Sequence, residues 1–330
     1  MNDIIHTSGS SGRGLIFVHG RGSKPGAESC QSIWVEALSA GIEADFPEEL
    51  EAFRETAVFV GYYGDLANAY LQELGETYDE QVDVTDLRNA LHELEAIDRK
   101  KGFGVNRYDR LPGKSAYREF AVSVFSPLIK SIGLGKKLVS GMHKDLGEYW
   151  RDGSRFHDDV LARVRDTLKA ALDEYDRIVV LSHGTGSIIT YDALWQLSHD
   201  PAHADTAADL KIDQWITMGA PLGDSLVQKQ LKGYGRDGRE RFPTNVLSWH
   251  NVSAEDDYMS HDNTVCDDFK AMLTQRQISS IRDYRIYNMA VRYGKSNPHN
   301  VVGYLIHPRV SKLVAEWLRK TDGRSLPKSP

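Results

Sequence analysis

The sequence predicts an α/β fold, in which a doubly wound and mostly parallel sheet carries helices on both faces. Short apolar runs without alternation, such as residues 15–18, are typical of strands buried on both faces of a parallel sheet. Amphipathic segments with apolar residues at helical spacing separate these runs. The chain has 330 residues, of which 41% are hydrophobic, and this is enough to build one large core. We therefore expect one domain over residues 13–320, between a flexible N-terminus (1–12) and a frayed tail (321–330).

The elements of this domain alternate along the chain. The first unit is a strand at 15–18, a helix at 31–45 and a second strand at 57–60. The later predicted elements are a helix at 155–172, a strand at 177–181, a helix at 187–197, strands at 212–218 and 245–252, and an amphipathic helix at 310–318. Such alternation is the pattern of a parallel sheet whose crossovers are helical.

Residues 66–150 interrupt the alternation and are typical of helices joined by loops. An acidic segment at 73–95 is expected to form a solvated helical face. Residues 120–142 are rich in apolar side chains, and they fit either a lid that meets an acyl chain or a helical hairpin packed on the sheet. We expect the whole insertion to form a helical cap over the carboxyl edge of the sheet.

Composition excludes several classes of function. The formal charge of -7 lacks the basic excess that nucleic-acid binding requires, so no nucleic-acid partner is expected. Cys30 and Cys266 lie far apart and have no metal-ligand spacing, which predicts neither a metal site nor a disulfide framework. No apolar run approaches about 20 residues, so no transmembrane segment is expected. We expect a cytoplasmic protein without a cofactor.

The most informative motif lies at residues 180–189, which read VLSHGTGSII. A buried strand here turns directly into a helix through small residues. This resembles the nucleophile elbow of the α/β-hydrolase superfamily, and in particular its lipase-like and esterase-like members, whose signature is Gly-x-Ser-x-Gly. Ser182 and Gly186 stand at the flanking small positions, and Gly184 stands at the position of the nucleophile. The resemblance extends over the chain outside residues 66–150.

Glycine at the elbow changes the chemistry that the resemblance implies. The elbow residue adopts a positive φ, which strains a serine and costs a glycine almost nothing. Gly184 therefore keeps the turn and removes the hydroxyl. A dinucleotide-binding reading of the same glycines fails, because that fingerprint requires a glycine where this chain has Ile189.

A loop after the first predicted strand resembles the oxyanion loop of the same superfamily. It begins at His19-Gly20, and His19 is expected to shape the loop without titrating. The resemblance implies that the backbone N–H group of Gly20 or Arg21, together with that of Thr185, faces the carbonyl oxygen of a substrate.

The acid and the histidine of a hydrolase triad follow the elbow in chain order. The acid is expected at the end of the strand near residue 252, where Asp257 is preferred to Asp256. The histidine is expected just before the last helix, where His299 is preferred to His307. His183, beside the elbow, is expected to pack against the sheet.

Together these features predict a site for a small ester or lipid-like ligand in which hydrolysis is absent or strongly impaired. Loss of the nucleophile in serine proteases lowers turnover on the order of 10⁶-fold. The hydroxyls of Thr185 and Ser182 are not expected to replace the missing nucleophile, because a side chain beside the tip of the turn points away from the histidine. Two alternatives stay open. Either a water that His299 and Asp257 activate carries out a slow hydrolysis, or an original serine at position 184 was replaced by glycine in this sequence. The alternative function is that of a pseudo-hydrolase that binds a ligand or a partner.

Overall fold

The computed structural model describes residues 5–7, 11–113, 144–202, 211–260, 262 and 264–320. The predicted apolar segment 120–142 and the predicted frayed tail 321–330 lie outside these residues.

The strands of the described chain form one large sheet and a small hairpin. In chain order they are β1 (Ile5–Thr7), β2 (Arg13–Val18), β3 (Ala57–Gly61), β4 (Arg177–His183), β5 (Gln214–Met218), β6 (Ser248–Ala254), β7 (Ser280–Ile286), β8 (Val291–Arg292) and β9 (Lys295–Ser296). The large sheet has seven strands in the order β1-β3-β2-β4-β5-β6-β7, and β8 pairs with β9. Six of the seven strands are parallel, and β1 is antiparallel to β3.

Helices cover both faces of this sheet, so the protein belongs to the α/β class. The described α-helices are α1 (Ala27–Asp45), α2 (Leu50–Arg54), α3 (Gly64–Glu73), α4 (Glu80–Glu95), α5 (Val105–Tyr108), α6 (Lys144–Tyr149), α7 (Arg155–Glu174), α8 (Gly186–His199), α9 (Ser225–Gln228), α10 (Lys270–Thr274), α11 (Val301–Leu305) and α12 (Pro308–Arg319). None of these described helices is both long and apolar enough to cross a bilayer.

Strand β2 shows why its sequence lacks alternation. Ile16 and Val18 join the apolar cluster that contains α7 and α8 on one face of the sheet. Leu15 and Phe17 join the cluster that contains α1, α11 and α12 on the other face. Because both faces of the strand are buried, every position favours an apolar side chain.

Two strands differ from the sequence expectation. The N-terminal region, expected to be flexible, contributes β1, whose pairing with β3 runs from Ile5 opposite Val60 to Thr7 opposite Val58. Strand β7 is absent from the prediction, because only Ile281 and Ile286 of its residues are buried and the others include arginines. An edge strand that meets solvent has no need of a continuous apolar run.

Several boundaries also shift. Ile212, expected inside a strand, instead forms an isolated bridge with Val246, and β5 begins at Gln214. Strand β6 covers Ser248–Ala254 in place of residues 245–252. The described parts of residues 66–150 contain helices, among which α4 packs against α1 and α11.

Candidate active site

Strand register brings the loops after β2, β4, β5 and β6 to one edge of the sheet. His183 pairs with Met218 at the ends of β4 and β5. Beyond the strands, the Gly184 N–H donates to the Met218 carbonyl at 2.9 Å, and the Gly219 N–H donates to the Val252 carbonyl at 2.9 Å. The carboxyl edge of an open α/β sheet is where such folds bind ligands.

The turn from β4 into α8 depends on two glycines. Gly184 has a φ of 54°, in the left-handed region that favours glycine. A Cβ on Gly186 would lie 2.1 Å from the carbonyl oxygen of His19, so any side chain there would force α8 away from the end of β2. The short distance between strand and helix therefore requires glycine at position 186.

Asp257 and His299 meet above Gly184. The Nδ1 atom of His299 lies 3.0 Å from each carboxylate oxygen of Asp257, whose side chain is buried. With its proton on Nδ1, the imidazole donates to Asp257 and leaves Nε2 as a proton acceptor. A Cβ on Gly184 would lie 3.0 Å from Nε2, so this nitrogen points at the elbow.

Tyr304 fixes the carboxylate of this pair. Its hydroxyl donates to Oδ2 of Asp257 at 2.6 Å and accepts the N–H of Ala254 at 2.9 Å. Helix α11 starts just after His299 and carries Tyr304, so one short helix positions both partners of Asp257.

The second-choice residues have other partners. Asp256 accepts the hydroxyl of Tyr108 at 3.1 Å. His307 is the N-cap of α12, where its Nδ1 accepts the N–H of Arg309 at 3.0 Å. The structure thus brings Asp257 and His299 together, and it places Asp256 and His307 in structural contacts.

The hydroxyls beside Gly184 have other hydrogen-bonding partners, and the thiol that lines the cavity is protonated. The Ser182 hydroxyl lies 2.8 Å from the Ser187 hydroxyl and accepts the indole N–H of Trp215 at 2.9 Å. The Thr185 hydroxyl hydrogen-bonds Tyr63. Burial raises the pKa of the Cys30 thiol to about 12, so it is not a thiolate at neutral pH.

Lys24 gives the loop after β2 its shape. Its ammonium donates to the carbonyls of Arg21, Gly22 (3.3 Å) and Ser23 (3.2 Å). Among the residues that the structure describes, the backbone N–H groups of Gly20, Arg21 and Thr185 donate to no acceptor. These three donors are therefore available to a ligand.

His19 is a neutral part of this loop. Its Nε2 accepts the N–H of Tyr63 at 3.0 Å, which leaves the proton on Nδ1, 2.8 Å from the carbonyl of Gly20. Burial and, less strongly, the charge of Lys24 lower the pKa of His19 to about 3. His19 therefore holds the loop through both ring nitrogens and stays uncharged at neutral pH.

His183 differs from its expected role of packing against the sheet. Its Nε2 lies 2.9 Å from the carbonyl oxygen of His299, and the centroids of the two rings are 4.4 Å apart. Burial lowers the pKa of His183, so the ring is neutral and donates this hydrogen bond. The side chain thus supports the backbone and the ring of His299.

Gly219 and Tyr304 are site residues that sequence reasoning missed. Gly219 has a φ of 57°, and a Cβ there would lie 2.5 Å from Oδ2 of Asp257. A signal existed for Gly219, since it stands in a Met-Gly-Ala-Pro turn directly after β5. Tyr304 carried no such signal, because its contact with Asp257 spans 47 residues.

A cavity of about 350 Å³ lies beside His299, between α1 and α4. Trp34 and Tyr78 contribute aromatic walls, and Arg21, Lys24 and Arg292 contribute cations. This volume is near the lower limit of sites that bind small molecules. No group of three or more side chains that could hold a metal ion occurs within the described parts of the chain.

No protein-family model and no curated protein matches this chain.

Proposed function

We propose that this chain is a member of the α/β-hydrolase superfamily with a helical cap, and that its site hydrolyses a small ester through an activated water. The observation that carries the proposal is the hydrogen-bonded pair of Asp257 and His299, whose free nitrogen points at the elbow residue Gly184. The left-handed turn at Gly184 and the position of the pair at the carboxyl edge of the sheet add support.

In this mechanism Asp257 holds the imidazole of His299 with the proton on Nδ1. A water above Gly184 gives a proton to Nε2 while its oxygen attacks the ester carbonyl. The N–H groups of Gly20, Arg21 and Thr185 are the donors available to the developing oxyanion. The proton on Nε2 then passes to the leaving alkoxide, and the products are an acid and an alcohol.

The expected rate is low. Without a side-chain nucleophile no acyl-enzyme forms, and serine proteases lose about 10⁶-fold in turnover on such a change. General-base activation of water contributes about 10²- to 10⁴-fold. We therefore expect slow turnover without a covalent intermediate.

One observation favours a second function, that of a pseudo-hydrolase that only binds a ligand. Nε2 of His299 lies within 3.0 Å of the place where a side chain on residue 184 would begin. The imidazole thus already occupies part of the space that a nucleophile would need, while the neighbouring cavity stays open.

Ester turnover by the unaltered protein separates the two functions. We expect slow hydrolysis of 4-nitrophenyl acetate that His299→Ala abolishes and Asp257→Asn strongly reduces. Arg54→Ala is a matched control, because Arg54 is exposed on α2 and contacts only its helix neighbour Glu51 among the described ion pairs. Ligand binding without turnover would favour the pseudo-hydrolase. Turnover that survives His299→Ala would contradict the proposed mechanism.

A further inference from the structure

Arg21 lines the cavity of the candidate site, and within the described residues its side chain forms no hydrogen bond. Its Nε is buried and has no acceptor, and within the described residues its guanidinium forms no ion pair. Burial lowers the pKa of Arg21 and the carboxylates of Asp145 and Asp257 oppose this shift, but a guanidinium stays charged at neutral pH. A charged guanidinium without an anionic hydrogen-bonding partner among the described residues is a feature that an anionic ligand would match.

The two carboxylates near Arg21 already accept other hydrogen bonds. Asp145 accepts the N–H of Gly22 at 2.7 Å and the N–H of Leu146 at 3.0 Å. Asp257 accepts from His299 and Tyr304. Their charges attract Arg21, yet neither accepts a hydrogen bond from its guanidinium.

The other cations of the cavity are held by the protein itself. The ammonium of Lys24 donates to three backbone carbonyls of its own loop. The guanidinium of Arg292 is paired with Asp83 and Asp86. Among the described cations that line the cavity, Arg21 is therefore the one whose donors remain available.

We infer that Arg21 binds an anionic group, a carboxylate or a phosphate, on a small ester that occupies the cavity beside His299. The inference rests on the proposed function and names the class of its substrate. A guanidinium matches a pair of anionic oxygens through two parallel hydrogen bonds. The cavity of about 350 Å³ suits a small ligand.

Calorimetric titration of the full chain tests this inference without requiring turnover. The probes are monoethyl glutarate, which carries a carboxylate, and diethyl glutarate, which has the same acid core and no charge. Inorganic phosphate is the third probe and distinguishes the two anions. We expect the monoester to bind about ten-fold or more tightly than the diester, as expected for a charge-assisted hydrogen bond.

Arg21→Gln removes the charge and keeps the backbone N–H. We expect it to weaken binding of the monoester about ten-fold or more and to leave binding of the diester unchanged. Arg54→Gln, at an exposed arginine that does not line the cavity, is the control that should change neither affinity.

Equal binding of monoester and diester by the unaltered protein would overturn the inference, and so would an unchanged monoester affinity in Arg21→Gln. If Arg21→Gln does not fold, the ratio of the two affinities in the unaltered protein decides. Binding of the monoester or of phosphate without hydrolysis would remove the proposed function and keep the anion site. Hydrolysis of neutral esters with no preference for a charged ester would keep the proposed function and remove the anion site.

Discussion

Two glycines with left-handed backbone control the chemistry of the candidate site. A Cβ on Gly184 would lie 3.0 Å from His299, and a Cβ on Gly219 would lie 2.5 Å from Asp257. The two positions differ in how far their neighbours can move. The imidazole of His299 can withdraw by a few tenths of an ångström, whereas the carboxylate of Asp257 is fixed by Tyr304.

Gly219→Ala is therefore expected to disrupt the pair of Asp257 and His299. Left-handed backbone costs a non-glycine residue about 1–2 kcal/mol, and forcing a methyl group against the carboxylate costs about 1–3 kcal/mol more. Urea unfolding measures the sum as a loss in the free energy of unfolding.

Gly75→Ala is the matched control for this prediction. Gly75 has a φ of 81° and no atom within 4 Å of the added Cβ, so it carries the backbone strain without the clash. Equal losses for the two variants would show that Gly219 does not support the carboxylate.

At the scale of the elements, packing of α1 against α11 and α12 sets the position of His299. Gly41 of α1 lies at this contact, where a Cβ would be 2.4 Å from the Ser311 hydroxyl and 3.0 Å from the Ile306 carbonyl. Because α11 begins two residues after His299, a shift of this helix also moves the histidine.

Gly41→Ala is expected to destabilise the protein although alanine favours helices by about 1 kcal/mol over glycine. Overpacking against α12 costs about 1–3 kcal/mol and outweighs that preference. Ser32→Ala, at an exposed position of the same helix, is the control and should be neutral or slightly stabilising. An increase in the unfolding midpoint of Gly41→Ala in urea would contradict the packing argument.

The elements also show what the sequence could predict. Strands β2 and β4 were predictable because burial on both faces leaves a continuous apolar run. The tight turn from β4 into α8 was predictable because its glycines are local to one turn. Strand β7 was not, since its exposed arginines remove the apolar signal.

The candidate site also has features that the sequence could predict and features that it could not. Chain position predicted that Asp257 and His299 lie close together, and the structure brings them into contact, whereas Asp256 and His307 have other partners. Their catalytic roles stay a prediction. The support from Tyr304 could not be predicted, because it arises from packing between segments that are distant in sequence.

At the scale of the whole molecule, buried neutral histidines link stability to pH. Burial lowers the pKa of both His19 and His307 to about 3, with further lowering by Lys24 and by Arg99 and Arg309 respectively. In the unfolded chain each has a pKa near its usual 6.5 and binds protons first. The stability that depends on the neutral forms is therefore complete above pH 6.5 and is lost as pH falls toward 3.

We expect the free energy of unfolding to fall by about 2 kcal/mol for each of these histidines between pH 7 and pH 5. His307→Asn should remove the part of this fall that His307 causes, because asparagine keeps an N-cap acceptor and does not titrate. Urea unfolding at both pH values measures this difference, and the value at pH 7 reports the packing cost of the substitution alone. An unchanged pH dependence in His307→Asn would contradict the assignment.

The central claim is that Asp257 and His299 form the base of a hydrolase site that lacks only its nucleophile. Gly184→Ser treated with a fluorophosphonate tests it most directly, because the serine oxygen displaces fluoride only when a base accepts its proton. We predict labelling at residue 184, detected by mass spectrometry of the intact chain and its peptides, and loss of that labelling in the double variant with His299→Ala. A folded Gly184→Ser protein that remains unlabelled would contradict the claim.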